Sequence, residues 1–199
     1  MKSKLINIVK GSGFKQASSE GAMSRFLKPS TNDFSLGFLI GKAGRENIIC
    51  VQWGLIHHPM WELQQDVEGT RDINIQFLLF SETINPIIEK NGSETSLDFE
   101  AVSTLIEHKI KFMEENKEKI VEDVVGSLKS FTFPISFSSE KHLSLDGMAH
   151  YYGLLYKHLR ERVSVDEIDS HVDKLVGLGL SKQSIPIFRM GLLRSYIGN

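Results

Sequence analysis

The chain has 199 residues, of which 41% are hydrophobic and 24% charged, the proportions of an ordinary globular protein rather than a disordered one. Its formal net charge of −2 argues against nucleic acid as the main partner. No run of the sequence approaches the roughly 20 apolar residues that cross a bilayer, so no membrane partner is expected.

The start of the chain and its cysteine content indicate a compartment. The apolar run Leu5–Val9 is shorter than the core of a signal peptide, and no small-residue cleavage site follows it. Cys50 is the single cysteine, so an intramolecular disulfide is excluded, and it lies in an apolar run typical of a buried thiol. These features together predict a cytoplasmic protein.

The first eighty residues are predicted to be rich in β-structure. Apolar residues at helical spacing predict a short helix over residues 2–10, which Gly11 and Gly13 would end. The polar stretch 16–24 leads from it into extended chain, and the segment His57–Trp61 is predicted to be an aromatic loop. Period-two alternation or a continuous apolar run predicts strands at residues 24–28, 34–40, 47–56 and 73–79.

The remainder of the chain is predicted to be mostly helical. A helix that begins near Ser96 would bury one apolar face, and whether residues 98–129 form one helix or two stays open. That face consists of Phe99, Val102, Leu105, Ile106, Ile110 and Met113. Later helices are predicted to begin at Ser144, at the capping box Ser164-x-x-Glu167 and near Ser184.

The order of elements defines the fold class. Strands precede helices and no parallel βαβ alternation occurs, so the sequence predicts an α+β fold with an N-terminal helix, an antiparallel sheet of about four to five strands and a helical C-terminal third. We expect a single domain over residues 1–199, β-rich to about residue 82 and helical from about 83. The alternating segment 131–137 would be an edge strand or an extended segment over the core. Predicted core residues are Phe34, Phe38, Val51, Trp53, Ile75, Phe77, Leu105, Leu155 and Leu175.

Catalytic, metal and cofactor motifs are not found in the sequence. No glycine-rich phosphate loop follows a strand, and no Gly-x-Ser-x-Gly elbow occurs. None of the seven histidines stands at the i,i+4 spacing of a helical zinc pair. The sequence therefore predicts no catalytic residue, no metal and no cofactor. An enzyme whose site is assembled from sequence-distant residues near His57 and His150 is the alternative.

Acidic residues concentrate in the middle of the chain. Between Glu82 and Asp123 eleven acidic residues face five lysines, a local net charge of −6. A solvated helix face is the plainer interpretation of such a run, and recognition of a basic partner is the functional one. The candidate partner-binding residues are Glu114, Glu115, Glu118, Glu122, Asp123 and Trp61, the last because tryptophan is enriched in binding anchors. The basic helix end Lys157–Arg162 is explained by the helix dipole, with phosphate binding as the functional alternative.

The helix Leu5–Val9, the pair Gly13-Phe14 and the strand pair that follows resemble the pattern of small bacterial α+β immunity proteins of toxin systems. The resemblance covers about the first eighty residues. It implies a cytoplasmic protein that neutralises a toxin by binding it, and no functional residue is carried over from it.

The leading functional hypothesis is accordingly a non-enzymatic protein-binding module of the immunity or antitoxin type, with a basic toxin domain as its partner. The enzyme described above is the alternative. An oligomeric scaffold that pairs through the 131–137 segment is a third hypothesis.

Overall fold

The computed structural model describes residues 2–20, 23–43, 48–68, 80–84, 90–91, 94–95, 99–132, 145–178 and 185–194. The elements are, in chain order, α1 Lys2–Gly11, β1 Lys15–Glu20, β2 Met23–Pro29, β3 Phe34–Ala43, β4 Ile48–His57, α2 His58–Glu68, β5 Phe80–Ile84, β6 Lys90–Asn91, β7 Glu94–Thr95, α3 Phe99–Glu115, α4 Lys117–Ser130, α5 Leu145–Glu161, α6 Val165–Gly177 and α7 Ile185–Arg194.

The chain forms two compact units. The first consists of residues 1–56, 74–77 and 81–120, and the second of residues 57–73, 78–80 and 121–199. The boundary near the middle of the chain falls inside α4, after Ile120. The prediction of a single domain stays a prediction.

A five-stranded sheet is the centre of the first unit. Its strand order is β1-β2-β3-β4-β5, and β6 and β7 form a separate two-stranded pair. β2 pairs antiparallel with both β1 and β3, and Phe26 stands opposite Phe38 in the second of these pairings. The α+β class, the N-terminal helix, the antiparallel sheet and the helical C-terminal part are all confirmed.

The predicted end of α1 is also confirmed. Gly13 has a φ of +86°, a conformation that glycine adopts without a Cβ clash. The Ser12 N–H donates back to the carbonyl oxygens of Ile8 and Val9 at 3.1 and 3.2 Å, as expected where a helix ends. This turn directs Phe14 onto the sheet, where its ring meets Phe38 edge to face at 5.2 Å between ring centroids.

The predicted core is correct at every described position but one. Leu105 is 40% exposed, so its assignment to the core is wrong. The buried residues of α3 form a stripe centred roughly 95° around the helix from Leu105, as a period of 3.6 residues dictates. Phe34, Phe38, Val51, Trp53, Leu155 and Leu175 are buried as predicted, whereas Ile75, Phe77 and the side chain of Cys50 lie outside what the structure describes.

The sequence leaves open whether residues 98–129 form one helix or two, and the structure has two. α3 ends at Glu115 and α4 begins at Lys117. Asn116, between them, donates to the Phe112 carbonyl oxygen from its backbone N–H at 3.0 Å and from its side-chain Nδ2 at 2.8 Å. An asparagine side chain that competes for a helical carbonyl in this way favours a helix boundary.

Two local predictions need correction. The stretch 16–24 contains an edge strand, β1, whose few apolar side chains gave no period-two signal. The segment His57–Trp61 is not a loop: His57 ends β4, and α2 begins at His58. The His57 Nδ1 atom accepts the Met60 N–H at 3.1 Å, as an N-cap side chain does, and Pro59 is tolerated because the first helical turn needs no N–H donor there. The predicted strand 73–79 and residues 133–137 of the alternating segment lie outside the described residues.

The second unit is built of helices. α2 and α7 approach closely, since a Cβ atom added to Gly191 would lie 2.4 Å from the Cα and carbonyl oxygen of Val67. The predicted N-cap of α6 is confirmed: the Ser164 hydroxyl accepts the Glu167 N–H at 3.3 Å. Arg189 of α7 binds Asp169 of α6 through both its Nε and Nη2 atoms.

Candidate functional site

The acidic residues at the end of α3 are exposed but already paired. The Glu114 carboxylate forms a salt bridge with Lys28 of β2, and the same lysine donates to the Ser12 carbonyl oxygen at 2.9 Å. Glu115 lies 3.7 Å from the ammonium group of Lys111, one turn earlier on α3. These two carboxylates therefore have roles inside the protein, although pairs this exposed contribute little to its stability.

The acidic residues of α4 differ from those of α3. Glu118 and Glu122 are exposed and stand one helical turn apart, and Asp123 is half-buried beside them on the same helix. In the described part of the chain none of the three forms an ion pair. Because neither carboxylate is held in an ion pair within the described residues, Glu118 and Glu122 are the predicted site residues best placed to meet a partner.

The two tryptophans have different environments. Trp53 is 1% exposed in the core of the first unit, where the Phe112 ring meets it edge to face at 6.3 Å and Lys109 lies over its ring at 5.1 Å. Trp61 is the fourth residue of α2 and is half-buried, next to the fully buried Met60. Trp61 thus stays partly accessible.

A cluster that the sequence did not predict joins three helices of the second unit. The Nε2 atom of His150 on α5 and the Nδ1 atom of His171 on α6 are 2.8 Å apart, a hydrogen-bond distance. The Phe131 ring, just after α4, stacks on His171 at 5.1 Å and lies 4.9 Å from His150. We call Phe131, His150 and His171 the histidine cluster.

Backbone geometry explains how Phe131 reaches the two imidazoles. Its φ of 55° places it in the left-handed region, which is uncommon for a residue with a large side chain. The Thr132 N–H donates to the Ser127 carbonyl oxygen at 2.9 Å, which closes the end of α4 around this residue. Gly153 of α5 makes room for the ring, because an added Cβ would lie 2.7 Å from Phe131 Cδ1.

Burial keeps both imidazoles neutral near pH 7. The pKa of His150 is lowered to about 4, first by burial and then by the positive charges of His171 and Lys174. Burial also lowers the pKa of His171, although the nearby Glu167 carboxylate opposes the shift. In a neutral pair one ring nitrogen donates and the other accepts, so the short contact between them contains a single proton.

Two charged side chains extend the cluster toward solvent. The Glu167 carboxylate lies 3.7 Å from His171 Nε2 and forms a salt bridge with Lys157 of α5. The hydrogen bond between Lys157 and Glu167 lowers the pKa of the carboxyl group and raises that of the ammonium group. Glu167 therefore stays ionised and has two competing partners, a lysine and an imidazole.

A cavity of about 350 Å³ adjoins this region. Its lining combines the end of α4 with one face of α5 and consists of Leu128, Lys129, Phe131, Tyr156, Lys157, Arg160 and Glu161. Phe131 belongs to both the cavity wall and the histidine cluster. Neither imidazole of the cluster lines the cavity.

The histidines predicted for an enzyme site have separate partners. His57 receives the Met60 N–H and meets the Tyr156 ring edge to face at 5.7 Å, whereas His150 binds His171. His57 thus has a structural role at the start of α2. His171 was missed because no sequence spacing links it to His150, 21 residues earlier; its i,i+4 relation to Glu167 on α6 was the one available signal.

No protein-family model, curated protein or solved structure matches this chain. Among the residues that the structure describes, no three histidine, cysteine or acidic side chains come together as a metal-binding group. No helix in the described ranges is both long and apolar enough to cross a membrane.

Proposed function

We propose that this protein is a non-enzymatic binding module that holds a basic protein partner, as an immunity protein or antitoxin neutralises a toxin. The observation that carries the proposal is the pair of exposed carboxylates Glu118 and Glu122, one turn apart on α4 and without an internal ion pair in the described chain. A bacterial, cytoplasmic setting belongs to the same proposal.

The physical basis is electrostatic steering. Exposed charges of one sign raise the rate at which a partner of opposite sign associates, and they do so without any structural change in either protein. Carboxylates that already bind an internal lysine, such as Glu114, contribute less to this field because the neighbouring cation cancels part of it. Trp61, half-buried on α2, supplies an aromatic contact of the kind that dominates binding energy.

The experiment mixes the purified protein with the toxin domain encoded beside its gene. A complex on size-exclusion chromatography supports the proposal, and its absence refutes it.

Reversal of the acidic pair, Glu118→Lys with Glu122→Lys, should slow association by roughly tenfold at low salt. The matched control reverses Glu107 on α3 and Asp173 on α6, two exposed carboxylates outside the proposed surface, with the same change in net charge. Equal slowing by both variants would show that α4 has no special role.

The second candidate function is an enzyme, and the contact between His150 and His171 favours it. Two sequence-distant imidazoles at 2.8 Å can pass a proton between their ring nitrogens. The pKa of His150, lowered to about 4, makes it a weak base near pH 7. Binding ranks first because neither imidazole lines the adjacent cavity. A turnover found in a substrate screen and lost in His150→Gln, with the variant still folded, would reverse that order.

A further inference from the structure

The described lining of the cavity beside the histidine cluster is rich in cations and also has an apolar part. Among the described residues that line it, three are cations, Lys129, Lys157 and Arg160, and one is an anion, Glu161, which gives these residues a net charge of +2. Leu128 and Phe131 give one part of the wall an apolar surface. A concave site that combines several cations with an apolar wall is suited to an anion that carries an apolar group.

Arg160 is oriented before any ligand binds. Arg160 donates from Nη1 to the Tyr156 hydroxyl at 3.3 Å, and its guanidinium group lies 5.7 Å from the centre of the Tyr156 ring. Lys157 and Arg160 stand three residues apart on α5, a spacing that places both on one face of the helix. Tyr156 is buried, so the guanidinium group is held on a fixed support. An arginine held in this way loses little conformational entropy when it binds an anion.

We propose that this cavity binds a small phosphomonoester with an aromatic or other apolar substituent. The dianionic phosphate would bind Arg160, Lys157 and Lys129, and the substituent would lie against Leu128 and Phe131. A volume of about 350 Å³ is near the lower end of small-molecule sites and suits a ligand with the size of phenyl phosphate. Glu161 disfavours a ligand with a second acidic group.

Ligand binding is coupled to the histidine cluster through Lys157. Lys157 is the salt-bridge partner of Glu167, and the Glu167 carboxylate also lies 3.7 Å from His171 Nε2. A phosphate that recruits Lys157 draws away a cation that lowers the pKa of His171 and leaves the Glu167 carboxylate, which raises it. Lys174 still opposes the rise, and the neutral His150 lies on the other side of the imidazole. Occupancy of the cavity should therefore raise the pKa of His171, which gives a readout inside the protein.

Calorimetric titration of the full chain with phenyl phosphate tests the proposal. Arg160→Gln and Lys129→Gln should each weaken binding at least tenfold, and phenol should not bind. Lys119→Gln, which removes an exposed cation of α4 outside the cavity, is the matched control and should bind as the parent does. Because Lys129 is exposed in the last turn of α4, its variant tests the site even where Arg160→Gln fails to fold.

Several results would overturn the proposal. The first is that phenyl phosphate does not bind at millimolar concentration, and the second is that Lys119→Gln weakens its binding as much as the cavity variants do. The third is that inorganic phosphate binds as tightly as phenyl phosphate, because the apolar part of the site would then contribute nothing. Tighter binding of a phosphotyrosine peptide would overturn the assignment to a small molecule.

NMR titration of His171 should show its pKa rise with saturating phenyl phosphate, and an unchanged pKa would exclude the coupling through Lys157.

Discussion

The acidic stretch from Glu114 to Asp123 and the histidine cluster are opposite kinds of candidate site. The acidic stretch is contiguous in sequence, exposed, and visible from composition alone. The histidine cluster combines residues from three helical regions, contains one buried and two half-buried side chains, and has no sequence signature. Charges on an exposed helix can change without effect on the fold, so they report on partners. The two imidazoles cannot change in this way, because His150 is buried and in contact with His171, and their protonation makes the stability of the fold depend on pH.

The largest expected effect comes from packing at the histidine cluster. Gly153→Ala would place a Cβ atom 2.7 Å from the Phe131 ring and 2.9 Å from the Leu128 carbonyl oxygen, so the α4 end must shift. We expect a loss of about 2 kcal/mol in the free energy of unfolding. The measurement is urea denaturation followed by circular dichroism, with comparison of midpoints at constant slope.

Gly126→Ala on α4 is the matched control for that substitution. A Cβ atom at Gly126 meets nothing within 4 Å, so the change gains helix propensity with no packing penalty. It should stabilise the protein by about 0.5–1 kcal/mol. Equal effects of the two substitutions would mean that α5 does not pack closely on Phe131.

Acid pH should destabilise the protein through the histidine cluster. The pKa values of His150 and His171 lie below the ordinary value of 6.5 in the folded state, so protonation favours the unfolded chain. The contribution of His150 is complete above pH 6.5 and is lost as the pH falls toward 4. For His150 alone, the loss between pH 7 and pH 5 should be about 2 kcal/mol.

Urea denaturation at both pH values, for the parent and for His150→Gln, measures this loss. Glutamine keeps a hydrogen-bonding group for His171 but does not titrate, so the variant should lose less stability between pH 7 and pH 5. Glu167, whose carboxyl pKa is lowered, is present in both proteins and therefore does not confuse the comparison. The same pH dependence in both proteins would contradict the assignment to His150.

The contrast between features that a contiguous stretch of sequence shows and features that depend on tertiary contacts explains how much of the fold was predictable. β3, β4 and the N-cap of α6 were predicted because alternation or a capping residue is a local signal. β1 was missed because a polar edge strand is defined by its pairing with β2. The sequence predicts a loop where α2 begins, because the start of this helix depends on the ring nitrogen of His57. The contact between His150 and His171 needs the tertiary packing of α5 and α6, and single-sequence patterns do not contain it.

Removal of the α6 N-cap should have an intermediate effect. In Ser164→Ala the Glu167 N–H loses its acceptor, and the first turn of α6, which positions Glu167 beside His171, is weakened. We expect about 1 kcal/mol of destabilisation, measured by thermal or urea denaturation. Ser170→Ala, at an exposed position within α6, is the control and should change stability by less than about 0.5 kcal/mol. A cap variant as stable as this control would show that α6 does not need the Ser164 hydroxyl.

The smallest expected effects lie in the acidic stretch, and their size distinguishes its two helices. Glu115→Gln removes the exposed i,i+4 contact with Lys111 and should cost about 0.3 kcal/mol or less, an amount that high salt abolishes. Glu122→Gln on α4 removes no ion pair within the described chain, so it should not destabilise the protein at any ionic strength. Thermal denaturation at low and high salt compares the two. A salt-dependent loss of stability in Glu122→Gln would mean that this carboxylate has an internal role, and the case for Glu118 and Glu122 as partner-binding residues would weaken accordingly.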